Sequence, residues 1–167
     1  MDLLLNIDLK KLPEPVTYTD KIMLVGSCFT EHIGNTLAEL KFETVQNPNG
    51  ILFGPYAVCK SLHSYIDNKR YIGSDLFQLN EVWHSWQHHS RFSNISREEA
   101  VININKSQQT AHEFLKKADW LIITLGSSYV YNFTDQADSS GIPLSGFPSK
   151  TKGTNAVLGA ANCHRAP

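Results

Sequence analysis

The run Lys21-Ile22-Met23-Leu24-Val25, closed by Gly26 and followed at once by a helix-forming stretch, constrains this chain more than any other segment. A short, continuously apolar run suits a strand buried on both faces of a parallel sheet, and a glycine at its carboxyl end permits a sharp turn. From about Thr30, Ile33, Leu37 and Leu40 fall on one face at helical spacing, with Gly34 as a weak point. The pattern then repeats. Phe42-Glu43-Thr44-Val45 reads as a second short strand, Asn47-Pro48-Asn49-Gly50 as a dense turn, and Pro55 opens a helix through about Asp67. Strand, helix, strand, helix is the α/β pattern.

Residues 71–92 depart from that rhythm. Leu76-Phe77-Gln78-Leu79 and Val82-Trp83-His84-Ser85-Trp86, separated by Asn80-Glu81, predict a hairpin or irregular excursion lying over the sheet face. Ser96-Arg97-Glu98-Glu99 has capping-box spacing, and the polar segment to Lys117 predicts one exposed helix, or two with a break at 103–105. The strand pattern is strongest in Asp119-Trp120-Leu121-Ile122-Ile123-Thr124-Leu125-Gly126, with a β-branched core and a glycine at its carboxyl end. Residues 135–155, rich in Ser, Gly, Pro and Thr, predict a long, partly flexible loop. Segment 12–20, with two prolines, reads as an extended lead-in.

The 167 residues suffice for one domain with a sizeable core, and a 41% hydrophobic content is ordinary for a soluble protein. Fifteen Lys+Arg balance 16 Asp+Glu without a basic block, which argues against nucleic acid as a partner. No stretch approaches a membrane span, and the first residues lack the basic flank and apolar region of a signal peptide. The expected partner is therefore a small molecule, with neither nucleic acid nor membrane, and the expected location is cytoplasmic. Cys28, Cys59 and Cys163, odd in number and irregularly spaced, suggest free thiols.

Gly26-Ser27-Cys28-Phe29 places a hydroxyl and a thiol at a helix N-terminus, where free N–H groups and the helix dipole favour a thiolate or an oxyanion. Acyl transfer suits such a corner. The competing reading makes Ser27 an N-cap and Cys28 a small buried hydrophobe. The histidines divide similarly. His32, His63 and His112 fall within predicted helices, whereas His84, His88 and His89 cluster in the excursion. Helical spacing there would suit zinc, but the flanking tryptophans suit a packed hairpin equally. No metal and no cofactor are assigned.

Several motifs in order resemble the GSCFA-domain family: Gly26-Ser27-Cys28-Phe29-Thr30, Asn47-Pro48-Asn49-Gly50-Ile51-Leu52, Trp83 through His89-Ser90, Thr124-Leu125-Gly126 with Val130-Tyr131, and Asn162-Cys163-His164. Thr30 replaces the signature's final Ala. The family is itself similar to the SGNH/GDSL hydrolases, esterases with a serine nucleophile, oxyanion donors from a Gly and an Asn, and a late Asp-x-x-His pair. The resemblance implies a three-layer α/β/α sandwich with a flavodoxin-like parallel sheet. It also implies that residues 1–167 form a single domain, incomplete at the C-terminus, because no Asp is followed three residues later by His.

Carried over residue by residue, the resemblance puts Cys28 on the nucleophilic serine, and a one-residue shift puts Ser27 there instead. Gly50, Gly126 and Ser128 would lie near the oxyanion, with Ser128 standing where the hydrolases have Asn. A hydroxyl has a shorter reach than a carboxamide, so backbone N–H groups would contribute more. Asn162, His164 and His89 are the remaining candidates for the site. Asn162 and His164 suit a structural loop equally well. Trp83, Trp86 and Tyr129 would stack on the substrate. The implied activity is ester hydrolysis, removing a small acyl group from a sugar or another polar molecule. The alternative is a non-catalytic carbohydrate- or partner-binding protein on the same fold.

Overall fold

The structure is a computed structural model that describes residues 14–126, 130–133 and 148–151. Strand β1 (Lys21–Gly26) lies at the centre of a parallel sheet, between β2 (Glu43–Gln46) and β5 (Trp120–Thr124). Met23 stands opposite Val45 on one side and Leu121 on the other. Ile22, Met23, Leu24 and Val25 are all buried, as an unbroken apolar run requires when both faces of its strand are covered.

Alternation along the strand sorts the helices to the two faces. Met23 and Val25 face Val58 and Tyr65 of α2 (Pro55–Ile66) and Ala111 and Phe114 of α3 (Arg97–Leu115) in one core cluster. Gln46, level with Leu24, faces α1 (Cys28–Glu39) on the other side. There, a Cβ on Gly34 would meet Gln46 Oε1 at 2.0 Å, so the residue that weakens the helical pattern is where helix and sheet approach closest. Helices on both faces of a parallel sheet make the expected α/β/α arrangement.

Outside the sheet, the position of the hairpin is corrected. Strands β3 (Leu76–Leu79) and β4 (Val82–Ser85) do pair as a hairpin, through a turn with positive φ at both Asn80 and Glu81. The hairpin does not lie over the sheet face: Tyr71 and Leu76 form a second cluster with Ala100 and Ile104 of α3, flanked by Trp83 and Phe92. Of the two alternatives for the following segment the single helix holds: α3 runs unbroken through 103–105, and it buries one face between the two clusters instead of being exposed all round. Ser96 Oγ accepts from Glu99 N at 3.2 Å, while Ser96 N donates to Asn94 Oδ1 rather than completing a capping box. Within the predicted 135–155 loop, β7 (Pro148–Thr151) pairs antiparallel with β6 (Val130–Phe133). The remainder of that stretch lies outside the described residues.

Candidate functional site

The loops leaving the carboxyl ends of all three parallel strands meet at Gly26-Ser27-Cys28. In a sheet ordered β2-β1-β5, with α1 on one face and α2 and α3 on the other, this is the switch point where open α/β sheets bind ligands. Gly26 is required there on two grounds. Its φ is +144°, and a Cβ would lie 1.9 Å from the Thr124 carbonyl oxygen.

Hydrogen bonds tie the corner to both neighbouring strands. Gly26 N donates to Asn47 Oδ1 at 2.8 Å, and Leu52 N donates to the Gly26 carbonyl at 2.8 Å. From the other side, Ser27 N donates to the Thr124 carbonyl at 3.1 Å, and the Ser27 and Thr124 hydroxyls are 2.9 Å apart. Thr30 Oγ1 also meets Thr124 Oγ1. Asn47 is 0% exposed with φ +43°, a left-handed conformation that asparagine tolerates.

The two candidate nucleophiles are thereby distinguished. Ser27 occupies the N-cap position of α1 but makes no side-chain cap bond; it is 6% exposed, with its hydroxyl turned to Thr124. Cys28 is the first residue of α1 and is exposed, so it is not the small buried hydrophobe of the alternative reading. The helix begins two residues before its predicted start. As a result the N–H groups of Cys28 and Phe29 precede any intrahelical acceptor and form the free positive end of the helix.

Gly50 and Gly126 stand near the corner with their own N–H groups engaged. Gly50 N donates to the Asn47 carbonyl at 2.7 Å, and Gly126 N to the Phe53 carbonyl at 2.9 Å. A Cβ on Gly126 would lie 3.4 Å from Ser27 Cβ, which places this glycine directly against the corner. Both glycines therefore shape the site without supplying a free N–H. Ser128, Tyr129, Asn162, Cys163 and His164 lie outside the described residues.

His89 is placed against the turn after β2. Its N–H donates to the Asn49 carbonyl at 2.8 Å, its Nδ1 accepts from Arg91 N at 3.2 Å, and its Cβ is 2.2 Å from where a Gly50 Cβ would be. At φ +84°, Gly50 is the second position that only glycine fills easily. Arg91 completes the brace, reaching Glu31 Oε1 of α1 at 3.1 Å and the Asn47 carbonyl. Asn49 Nδ2 donates to the Gln87 carbonyl at 3.2 Å, and Tyr65 OH accepts from Asn49 N at 3.2 Å. Residues 87–91 thus support the loop that holds Gly26.

The other histidines of the excursion do not converge. His84 Nδ1 meets Ser93 Oγ and His88 Nδ1 meets Ser85 Oγ, each at 2.8 Å. Among the described residues, no three His, Cys, Asp or Glu side chains form a metal-binding group. His88 is packed edge-on against Tyr71 with its Nε2 buried and unpartnered, and burial pushes its pKa down to about 4, with Lys69 adding repulsion. Trp83 lies beneath the Arg97 guanidinium of α3 in the second cluster, whereas Trp86 stacks on Phe77 at 3.9 Å and remains 43% exposed.

The residues that sequence reasoning left without a role are Thr124, Asn47 and Arg91. Thr124 and Asn47 stand at strand ends inside the quoted motifs, which is the signal available; Arg91 has none. Cys28 itself is exposed at the corner and lines neither of two surface clefts of about 510 and 550 Å³ among the described residues. No helix among the described residues is long and apolar enough to cross a membrane. No curated protein and no solved structure matches the chain significantly. The GSCFA family model matches residues 21–151, a span that takes in the Gly26-Ser27-Cys28 corner and every strand among the described residues, and the chain belongs to the GSCFA family.

Proposed function

We propose that this chain carries the nucleophile corner of an SGNH-like ester hydrolase, with Cys28 as the attacking group. The observation that carries this reading is the contrast between neighbours: Cys28 is exposed at the first helical position, while Ser27 is buried and bonded to Thr124. The Cys28 thiolate would attack the acyl carbon, and the oxyanion would be met by the N–H groups of Cys28 and Phe29. The carbon–oxygen bond to the alcohol then breaks, the alcohol oxygen takes a proton, and water cleaves the thioester to release the acid. Ser27 and Thr124 orient the corner. The base comes from outside the described residues, with His164 as the candidate within this sequence. The substrate class is a small acyl ester of a sugar or similarly polar molecule.

A second reading, a non-catalytic carbohydrate- or partner-binding protein, draws on a specific observation. Among the described residues, no histidine or carboxylate hydrogen-bonds to Ser27 or Cys28. Competitive labelling separates the two readings, because Cys28 and Cys59 are both exposed and bare accessibility favours neither. The protein is treated with a limiting thiol alkylator and, separately, with a fluorophosphonate, and the modified residues are mapped. Hydrolase chemistry predicts preferential alkylation of Cys28. Alkylation of Cys28 no faster than Cys59, with Ser27 never labelled, removes the nucleophile reading.

A further inference from the structure

The cleft of about 550 Å³ on the outer side of β2 has a lining unlike that of the nucleophile corner. Arg91 and Lys106 contribute two cations and Asn103 an exposed amide, the Ser107 and Thr110 hydroxyls already donate to the Pro48 and Lys106 carbonyls, and no carboxylate lines it. Asn103, Lys106, Ser107 and Thr110 recur at the three- and four-residue spacing that puts them on one face of α3. Opposite them is β2, which pairs only with β1 among the described strands and so turns unpaired backbone groups outward.

Two details distinguish this cleft from an ordinary polar surface. Asn47 lines it, is 0% exposed, and has an Nδ2 group that is buried without a hydrogen-bond partner. A buried amide donor left unpaired is costly, and the carboxamide is held in place because its Oδ1 is committed to Gly26 N. The cations also keep capacity to spare. Arg91 spends two donors on Glu31 and the Asn47 carbonyl, leaving three N–H groups, and Lys106 has no ion pair among the described residues.

We infer that this cleft is a binding site for a phosphate-type oxyanion, distinct from Cys28, held by Arg91 and Lys106 with Asn47 at its inner end. Charge complementarity favours an anion, and the fixed guanidinium suits tetrahedral oxygens. The volume falls within the range of small-molecule sites, so it admits a phosphorylated metabolite as well as free phosphate. Occupancy would bear on the nucleophile corner through Asn47, which bridges the two. The inference is independent of the hydrolase reading, since it concerns binding alone.

The test is an amide-resolved NMR titration of the whole chain with inorganic phosphate, at ionic strength held constant with chloride. Glucose 6-phosphate serves as a larger probe. The expected result is saturable shifts confined to Asn47, Arg91 and the 103–110 face, with millimolar affinity for at least one probe. Lys106→Gln should weaken that affinity about tenfold, the loss of one charge-assisted hydrogen bond. Lys60→Gln, on α2 and outside the lining, should leave it unchanged. Lys106 is exposed, so its replacement leaves the fold intact, and the wild-type titration is decisive without it. The inference is overturned if neither probe saturates these amides by about 20 mM. It is also overturned if the two lysine variants weaken binding equally, which would make the effect one of overall charge.

Discussion

His88 gives the most quantitative prediction, because its environment specifies both the sign and the size of an effect. The ring is packed between Tyr71 and Phe92, its Nδ1 meets Ser85 Oγ, and its Nε2 has no partner. Burial is the largest cause of a pKa lowered from 6.5 to about 4; repulsion from Lys69 adds to it, and Asp75 partly offsets it. Neutral His88 is therefore the folded form. As pH falls below about 6.5 the unfolded chain takes up a proton that the folded chain refuses, so stability is lost down to about pH 4 and no further below it. A difference of about 2.5 units corresponds to roughly 3 kcal/mol. Urea unfolding followed by tryptophan fluorescence, at several pH values across that window, should show this loss in the wild type. His88→Leu should lack it. The variant loses the Ser85 contact but also the unpartnered Nε2, two pH-independent effects of opposite sign, so what should change with pH is the difference between the two proteins, by about 2–3 kcal/mol in the variant's favour between pH 7 and pH 4.5. Parallel pH profiles for the two proteins would refute the reasoning. So would an NMR titration placing the His88 pKa near its ordinary value.

Further substitutions test the corner and its supports. Gly26→Ala should prevent folding or cost more than about 3 kcal/mol, because it combines a forbidden φ with a clash against the Thr124 carbonyl; thermal denaturation and expression yield will show which. Thr124→Val keeps the shape but leaves the Ser27 hydroxyl without its partner, and should cost about 1–3 kcal/mol by urea unfolding. Arg91→Gln should cost about 1–2 kcal/mol in the same measurement, since it breaks both the Glu31 ion pair and a bond to the buried Asn47 loop. Ser96→Ala removes the cap of α3 and should cost about 1 kcal/mol, read by the same method.

Strands β1 to β5, the hairpin and most helix positions were legible because their signals are local, whereas β7 lies in a stretch whose Ser, Gly, Pro and Thr content reads as loop. An apolar run bounded by turn residues reports a strand wherever its partner lies, and Pro55 opens a helix whatever that helix packs against. What stayed open shares a cause. Whether α3 continues through Asn103 and Asn105 was left undecided because neither residue is a good helix former, and what holds the helix together is burial of Ala100, Ile104 and Ala111. The environment of Trp83 was hidden for the same reason, since its partner Arg97 is brought to it by tertiary packing of α3.

The Gly26-Ser27-Cys28 corner divides along the same line. The sequence by itself determined that a strand ends at Gly26, that a helix follows, and that a hydroxyl and a thiol stand adjacent at the junction. It left open which of the two faces solvent. Only the tertiary structure decided that, because Thr124 lies 97 positions away and reaches Ser27 solely through the parallel pairing of β1 with β5. That pairing draws the Ser27 hydroxyl inward and leaves Cys28, one residue on, at the open end of the helix.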